Sequence, residues 1–389
     1  MKKASQPILI LEPLPCSDHG GQPLATFAIA KGLAQQGYTV SLVAFQDGDL
    51  IHHYQSFCKQ TVFIENYRIG KDHALKSLMQ LSQGLLKIWK NYHTSPVGVI
   101  YFSNHRCGLF AILLGLLLRW KTVLHICTAM DPALFHQQDW WAVQNTNRYI
   151  TVSENVKIAW LKAFDLKPQR ITNVYNGIDT HRFSPASDLL EIRRSLNLPH
   201  DHKIISYIGR LSPTKGIEIL LSSFARLVQT TSEPVFLAIA GSPSGFAKDK
   251  DGQKYLQQIQ DLQKQLDLTK NSKLLGHLAD PLPLYQSSDL TVLPSTYAEP
   301  FGLAIIESMA CGVPVIASEV GGIPEILNPN FSQLLVKPND ADSLYEALQH
   351  QIQWRSTYPQ LGMQCRNHVL NYFSLEKHLA NIENVLVRA

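Results

Sequence analysis

The sequence predicts an α/β protein built from two doubly wound parallel sheets. Three observations carry that prediction. Short apolar runs of strand length alternate with longer helical stretches along the chain. The runs are followed by loop or helix signals rich in Gly and Pro. The alternation then starts afresh near residue 185, after the turn dipeptide Asn176-Gly177 and Ser184-Pro185. The 389 residues suffice for two full cores.

The first element is the run Ile8 to Glu12, followed by a helix from about Pro23 to Gln36 closed by Gly37, and then Thr39 to Ala44, which together read as β-α-β. Four more strands are expected at Gly98 to Phe102, Thr122 to His125, Tyr149 to Val152 and Ile171 to Val174. Between them, His73 to Asn91 reads as a helix carrying Leu75, Leu78, Met79, Leu85, Leu86 and Trp89 beside Lys71, Lys76, Lys87 and Lys90. That pattern fits a core helix with a wet basic face, and it also fits a helix lying on an anionic membrane surface. The second half restarts with Lys203 to Ile208 and continues with Val235 to Ala240, Lys273 to Leu275, Leu290 to Leu293 and Val313 to Ala317. The expected domains are therefore 1–184 and 185–371. Two such domains imply a cleft, and ligands of open α/β sheets sit outside the carboxyl ends of the strands, so the loops after strands are where function belongs.

Composition narrows the class. About 45% hydrophobic and 17% charged residues exclude a disordered or fibrous chain. The six cysteines are far apart, with no C-x-x-C pair and no Cys/His cluster at zinc spacing, which argues against a disulfide scaffold and a structural zinc. Met1-Lys2-Lys3 leads directly into the strand-like Pro7 to Leu11 rather than into a secretory apolar core, so a cytoplasmic location is expected. The longest uncharged apolar run, Gly108 to Leu118, is too short to span a bilayer. Charge is uneven: residues 1 to 184 hold 18 Lys and Arg against 11 Asp and Glu, whereas 185 to 389 hold 17 against 20. A basic first half suits an acidic substrate or an anionic membrane surface. Nucleic acid is not expected, because there is neither an Arg-rich tract nor an RNA-binding aromatic signature.

Three loops carry chemistry. Gly20-Gly21-Gln22-Pro23 closes the loop after the first strand and opens a helix, where backbone N–H groups can approach a phosphate; taken alone it also suits a plain strand-to-helix turn. Gly209-Arg210-Leu211-Ser212-Pro213-Thr214-Lys215-Gly216 puts two cations five residues apart across a turn, one able to grip a phosphate as a planar fork and one as a mobile point charge. The third segment, Ser295 to Pro314, joins strand, loop, helix, Gly cap and strand. Pro300 suits a helix start and Gly312 a C′ position, which places Glu299 on the loop and Glu307 on the helix, beside the apolar Leu303, Ile306 and Ala310. An acid in that setting needs polar partners, and a ribose diol is one. Asp249-Lys250-Asp251 matches a D-x-D metal motif, but it sits in a Lys-rich loop where solvated carboxylates are the expected state.

Glu299 to Glu307 with Gly302 between them and A-C-G-V-P-V-I-A after them resembles the E-x7-E region of the retaining glycosyltransferases of family 4. The resemblance extends to Gly209 to Gly216, to Ile150-Thr151-Val152-Ser153-Glu154, to Asn176-Gly177-Ile178-Asp179 with Phe183, and to Gly321-Gly322-Ile323-Pro324-Glu325. It implies the GT-B fold, two Rossmann-like domains facing a cleft, with the C-terminal helix 372–389 packing back on the first domain. It also implies that Arg210 and Lys215 hold the donor diphosphate, Glu307 the ribose hydroxyls and Glu299 the transferred sugar. Backbone groups at Phe301, Gly302 and Leu303 would touch sugar and phosphate, and Gly21 would close over the diphosphate. Gly20, Gln22 and His125 would serve the acceptor side, His125 facing both sugar and acceptor. Pro300 stands where many members have Gly, and Ile126-Cys127-Thr128 follows His125 in place of a Gly or Asp.

The function so implied is retaining hexosyl transfer from a nucleotide diphosphate sugar, expected to be a UDP-sugar, to a lipid-linked or polysaccharide acceptor. Arg210 and Lys215 would supply the charge a metal otherwise brings, so no cofactor or metal is expected. The leaving phosphate would take the acceptor's proton, since no acid in these motifs is placed as a nucleophile. The expected partners are the nucleotide-sugar, a glycan or lipid-linked acceptor and the inner membrane face. A small soluble sugar acceptor, or a catalytically silent nucleotide-sugar binder, would fit the same residues.

Overall fold

A computed structural model describes residues 6–16, 21–70, 73–128, 132–243, 250–327 and 329–388. Gly20, Lys71 and Asp249 lie outside the described residues. The chain forms two compact units, Met1–Tyr175 with His378–Ala389, and Asn176–Lys377.

The first unit is a parallel sheet of seven strands: β1 (Pro7–Glu12), β2 (Thr39–Ala44), β3 (Thr61–Phe63), β4 (Val99–Phe102), β5 (Lys121–Ile126), β6 (Arg148–Thr151) and β7 (Ile171–Asn173). Its order is β3-β2-β1-β4-β5-β6-β7, so the winding reverses between β1 and β4. All six residues of β1 are buried, which explains why the strand reads as an unbroken apolar run rather than an alternation: both of its faces are covered. Register is continuous across the middle of the sheet, with Leu11 beside Phe102 and Phe102 beside Leu124. β3 is not anticipated by the sequence reading, because three residues at a sheet edge carry too little pattern to stand out.

The helix after β1 runs Gly21–Gln35, two residues earlier than Pro23 suggests. Helix Ala74–Tyr92 buries Ser77, Leu81, Gly84, Leu85, Ile88 and Tyr92, while Leu75, Leu78, Met79 and Leu86 are exposed. The last helix, Leu375–Val387, is tied to this unit by a 2.7 Å hydrogen bond from the Tyr38 hydroxyl to Glu383 and by Leu379 pressed against Gly32.

The second unit holds β8 (Lys203–Ile208), β9 (Val235–Ala240), β10 (Ser272–Gly276), β11 (Leu290–Leu293), β12 (Val315–Ser318) and β13 (Leu335–Val336), all parallel, in the order β10-β9-β8-β11-β12-β13. Here the winding reverses between β8 and β11. The two-residue β13 is, like β3, an edge strand with no sequence signal of its own. A buried hydroxyl chain fastens the centre: Ser206 on β8 and Thr291 on β11 lie 3.0 Å apart, and Ser308 donates to Thr291 at 2.8 Å. At the lower end, Asp289 accepts from Arg193 and Arg355, each at 2.9 Å, and from the Ile204 backbone N–H. That pairing satisfies a buried carboxylate, which would otherwise be costly.

Candidate active site

The crevice rule for open sheets singles out the carboxyl ends of β8 and β11, where the winding reverses. The two motif loops stand at those ends. The loop after β8 contains Arg210 and the short 3-10 turn Pro213–Lys215; the loop after β11 runs from Pro294 to Gly302 and opens helix Leu303–Ala310. The backbone N–H of Thr296 donates to Thr214 at 2.9 Å, pinning one loop to the other. Gly216 has φ +66°, and a Cβ there would lie 2.0 Å from the carbonyl oxygen of Pro294. Only glycine permits this approach.

Pinning the loops brings two of the expected site residues together. The Lys215 ammonium donates a hydrogen bond to Oε1 of Glu299, and the Ser295 hydroxyl donates to the same oxygen at 2.7 Å. Both side chains are mostly buried, so the carboxylate is aimed by two donors and by its own backbone. The Glu299 carbonyl accepts from Gly322 N–H at 2.8 Å, and Gly321, with φ +60°, lies so close that a Cβ would stand 2.1 Å from that carbonyl oxygen. The segment Gly321-Gly322 therefore props up Glu299 from behind.

Arg210 is exposed, and its guanidinium makes no hydrogen bond or ion pair among the described residues. Its backbone carbonyl is held by the hydroxyl of Tyr207 at 2.8 Å. Burial, followed by the charges of Glu299 and Arg210 acting in opposite directions, raises the Tyr207 phenol, so it stays a neutral donor. The site thus offers one cation already engaged with a carboxylate and one fully available to an anion.

Glu307 lies in the helix that starts at Leu303, three residues later than Pro300 suggests, because Gly302 takes φ +112° and serves as the N-cap. Its Oε2 accepts from the Tyr285 hydroxyl at 2.8 Å. Burial raises its carboxyl above 4.5, while the Tyr285 hydrogen bond and the charge of Arg182 pull it back. Tyr285 was not expected from the sequence. Its signal is only that of a tyrosine in a short helix, Leu282–Ser287, whose partner is 22 positions away. Phe301 is buried and stacks edge-on to Phe373 with ring centroids 5.8 Å apart, leaving Gly302 and Leu303 half-buried at the helix start. Among the described residues no cluster of three His, Cys, Asp or Glu side chains could hold a metal.

In the first unit, Gln22 donates from its amide to the Ser103 backbone carbonyl at 3.0 Å and to the Ser103 hydroxyl at 3.1 Å, and so ties the helix after β1 to the end of β4. Gly21 is the first residue of that helix and is exposed. His125 lies on β5, 1% exposed, with Nδ1 2.5 Å from the Tyr101 hydroxyl and Nε2 without a hydrogen-bond partner among the described residues. Burial, and secondarily the neighbouring His378, pushes its pKa down to about 3, so the ring is neutral near pH 7. His378 is itself lowered to about 4 by burial, and its Nδ1–H donates to the Tyr175 carbonyl oxygen, 2.7 Å away. Among the described residues no helix is long and apolar enough to cross a membrane.

Comparison with known proteins places this geometry. Residues 19–182 match the model for Glycosyltransferase Family 4, and residues 189–367 match the model for Glycosyl transferases group 1. An uncharacterised glycosyltransferase of Methanocaldococcus jannaschii is 32% identical over 219 residues, covering 55% of this chain and 53% of that protein. A D-inositol 3-phosphate glycosyltransferase of Saccharomonospora viridis is 31% identical over 193 residues, covering 48% of this chain and 43% of that protein. The chain thus spans about half the length of the curated relatives it matches. Among solved structures, HepE from Anabaena in complex with UDP and glucose superposes with a TM-score of 0.81 at 22% identity, covering 99% of this chain and 100% of that one, a likeness of fold that makes the two Rossmann-like sheets those of a GT-B protein. The two model matches, one on each unit and together spanning most of the sequence, make this chain a member of glycosyltransferase family 4.

Proposed function

We propose that this protein transfers a hexosyl unit, with retention of configuration and without a metal ion, from a UDP-sugar to an acceptor hydroxyl. The observation that carries the reading is the Lys215–Glu299–Ser295 cluster at the β8/β11 reversal, with Arg210 uncommitted beside it. A diphosphate drawn in by Arg210 competes with Glu299 for the Lys215 ammonium, so binding would transfer Lys215 to the leaving phosphate and release Glu299 to the sugar hydroxyls. Negative charge grows on the diphosphate as the sugar bond breaks, and two aligned cations with the start of helix Leu303–Ala310 stabilise it. Those cations fill the place of a divalent ion, which is the basis for metal independence. Glu307, steadied by Tyr285, would accept from the ribose hydroxyls.

UDP is favoured because the structural neighbour from Anabaena was solved with UDP and glucose. On the acceptor side, the basic first unit and the exposed Leu75, Leu78, Met79 and Leu86 favour a lipid-linked or polysaccharide acceptor at an anionic membrane surface. A small soluble acceptor is the second reading, favoured by the inositol-phosphate glycosyltransferases among the relatives.

Thermal shift with UDP, GDP and ADP in the presence of a chelator tests the donor site. Ligand at 100 times Kd stabilises by about 2.7 kcal/mol. A shift with UDP that vanishes in Lys215→Ala supports the reading, and no shift with any of the three overturns it.

A further inference from the structure

The strands of the first sheet begin at the edge opposite to their carboxyl ends, and that amino edge carries a hollow of its own. Helix Gly108–Leu118 ends there before β5, and helix Gln137–Asn145 ends there before β6. The hollow has a volume of about 280 Å³; Arg119, Lys121, Asn145 and Asn147 supply polar surface to it, and Ile112 and Leu116 apolar surface. Drug-sized ligands need roughly 300–1,000 Å³, so there is room for a small headgroup and no more. None of the lining residues is acidic.

Cations at the end of a helix often serve the helix itself by meeting its last carbonyls. Arg170 does so here: its guanidinium donates to the carbonyls of Gln144 at 3.3 Å, of Thr146, and of Asn147 at 3.4 Å, where helix Gln137–Asn145 ends. The side chains of Arg119 and Lys121 are different. Both residues are exposed, and neither side chain makes a hydrogen bond or ion pair among the described residues. The helix end does not call for an arginine either, because Arg119 has φ +58° at the place where helices ordinarily put glycine. Asn147 accepts through Oδ1 from the Thr122 N–H at 2.9 Å and from the Thr122 hydroxyl at 3.1 Å, which leaves its NH2 group a donor without a partner among the described residues. A guanidinium, an ammonium and an amide with no carboxylate between them are the chemistry of an anion site.

The surface around the hollow is apolar and turned to solvent. Leu116 is 67% exposed, Leu117 49% and Val97, in the approach to β4, 63%. Val97 belongs to the same corner: at the next residue, Gly98, a Cβ would lie 2.9 Å from the ring of Trp120, which lines the hollow. A free phosphate gains nothing from such a rim. A phospholipid carries acyl chains beside its phosphate, and apolar side chains next to cations match both parts of it.

We propose that the hollow at Arg119 and Lys121 binds the phosphate-bearing headgroup of an anionic membrane lipid, with Val97, Leu116 and Leu117 entering the lipid layer around it. The site lies wholly in the first unit, uses no residue of helix Ala74–Tyr92, and rests on neither the donor nor the acceptor reading.

The test compares wild type, an Arg119→Gly, Lys121→Gln double variant and a Leu78→Glu, Met79→Glu double variant in the full chain. Dihexanoyl phosphatidylglycerol below its micelle concentration is titrated by calorimetry at low salt, with inorganic phosphate and dihexanoyl phosphatidylcholine beside it. Partition onto vesicles of equal parts phosphatidylcholine and phosphatidylglycerol is followed by sedimentation. Wild type is expected to bind the short phosphatidylglycerol saturably, and the Arg119→Gly, Lys121→Gln variant to lose that binding. Its partition onto vesicles should weaken about 30-fold, since each cation near an anionic surface accounts for about fivefold. It should melt no lower than wild type, because glycine suits φ +58°. The Leu78→Glu, Met79→Glu variant is expected to keep the titration, which separates this site from the face of helix Ala74–Tyr92. No saturable binding by wild type, an equal response to inorganic phosphate or to phosphatidylcholine, or partition unchanged by the loss of both cations overturns the proposal, and so does a titration lost in both variants. Neither readout involves UDP, so failure of the donor reading leaves this result standing.

Discussion

Lys215 and Glu299 lie 84 positions apart in the chain, yet the ammonium of one donates directly to the carboxylate of the other at the carboxyl edge of the second sheet. The contact exists because Gly216 lets its loop touch the backbone of Pro294. On the proposed reading, it would keep a cation and an acid paired until the donor diphosphate binds.

Lys215→Ala removes that cation. Loss of one aligned charge opposite a developing anion costs about 10²- to 10³-fold in rate. The variant is therefore expected to transfer at least about 100-fold more slowly and to lose its thermal response to UDP. Glu299 would keep only Ser295, and melting should fall by the equivalent of about 1–3 kcal/mol. Steady-state rates with UDP-glucose and melting with and without UDP check both parts. A variant that still shifts fully with UDP would remove Lys215 from the donor site.

Gly321→Ala tests the support behind Glu299 without changing any side chain expected to meet a ligand. The new Cβ would meet the Glu299 carbonyl at 2.1 Å in a backbone with φ +60°. Strain of about 1–3 kcal/mol follows if the loop holds, and a displaced Glu299 if it yields. The expected outcome is a lower melting temperature together with at least a tenfold loss of transfer rate. An unchanged rate at lower stability would show that the position of Glu299 does not govern the chemistry.

These residues also mark what the sequence could and could not reveal. The strands Thr39–Ala44, Lys203–Ile208, Val235–Ala240 and Leu290–Leu293 were legible to the residue, because a strand covered on both faces writes itself as a near-continuous apolar run interrupted only by single Thr, Ser or terminal Lys residues. Arg210, Lys215 and Glu299 could be singled out because turn residues and charges follow those runs, whereas Glu307 and the roles of all four came from the family resemblance. Tyr285, and Ser295 as a partner of Glu299, were not legible. Their meaning lies in neighbours 22 and 4 positions away, contacts that appear only in the folded chain. The helix start at Leu303 was missed for a local reason: Gly302 takes the positive φ that ends the loop, and Pro300 precedes it.

Glu307 gives a pH dependence whose sign can be worked out. A ribose diol donates to a carboxylate, so donor binding requires Glu307 ionised. Burial raises its carboxyl above 4.5, hence affinity for UDP is expected to fall on acidification, starting at a higher pH than an ordinary glutamate would give. Tyr285→Phe deletes the hydrogen bond that favours the ionised form and should move that fall to still higher pH. Towards the alkaline end of the range the two affinities should approach each other, to within about the tenfold that one hydrogen bond to a charged group accounts for. Calorimetric titration of UDP from pH 5 to 8 on both proteins measures this. Superposable profiles would mean that Glu307 does not face the nucleotide.

The helix Ala74–Tyr92 bears on where the acceptor resides. Its covered side carries Leu81, Leu85 and Ile88, so the apolar residues left in solvent are surplus to the core. Leu75 is 74% exposed, Met79 55%, Leu86 53% and Leu78 48%. Lys76 and Lys90 are exposed on the same helix, in the basic half of the chain. Apolar side chains entering a headgroup layer and lysines meeting anionic lipid act together, each lysine contributing about 1 kcal/mol at low salt. The protein is therefore expected to float with vesicles containing an anionic lipid at low salt, less at high salt, and not with neutral vesicles. A Leu78→Glu, Met79→Glu double variant, altering two solvent-exposed positions, should melt like wild type and stay at the bottom of the gradient. No flotation of wild type at low salt would move the acceptor to a soluble sugar. Flotation that survives the double variant would place the membrane contact on another face of the protein.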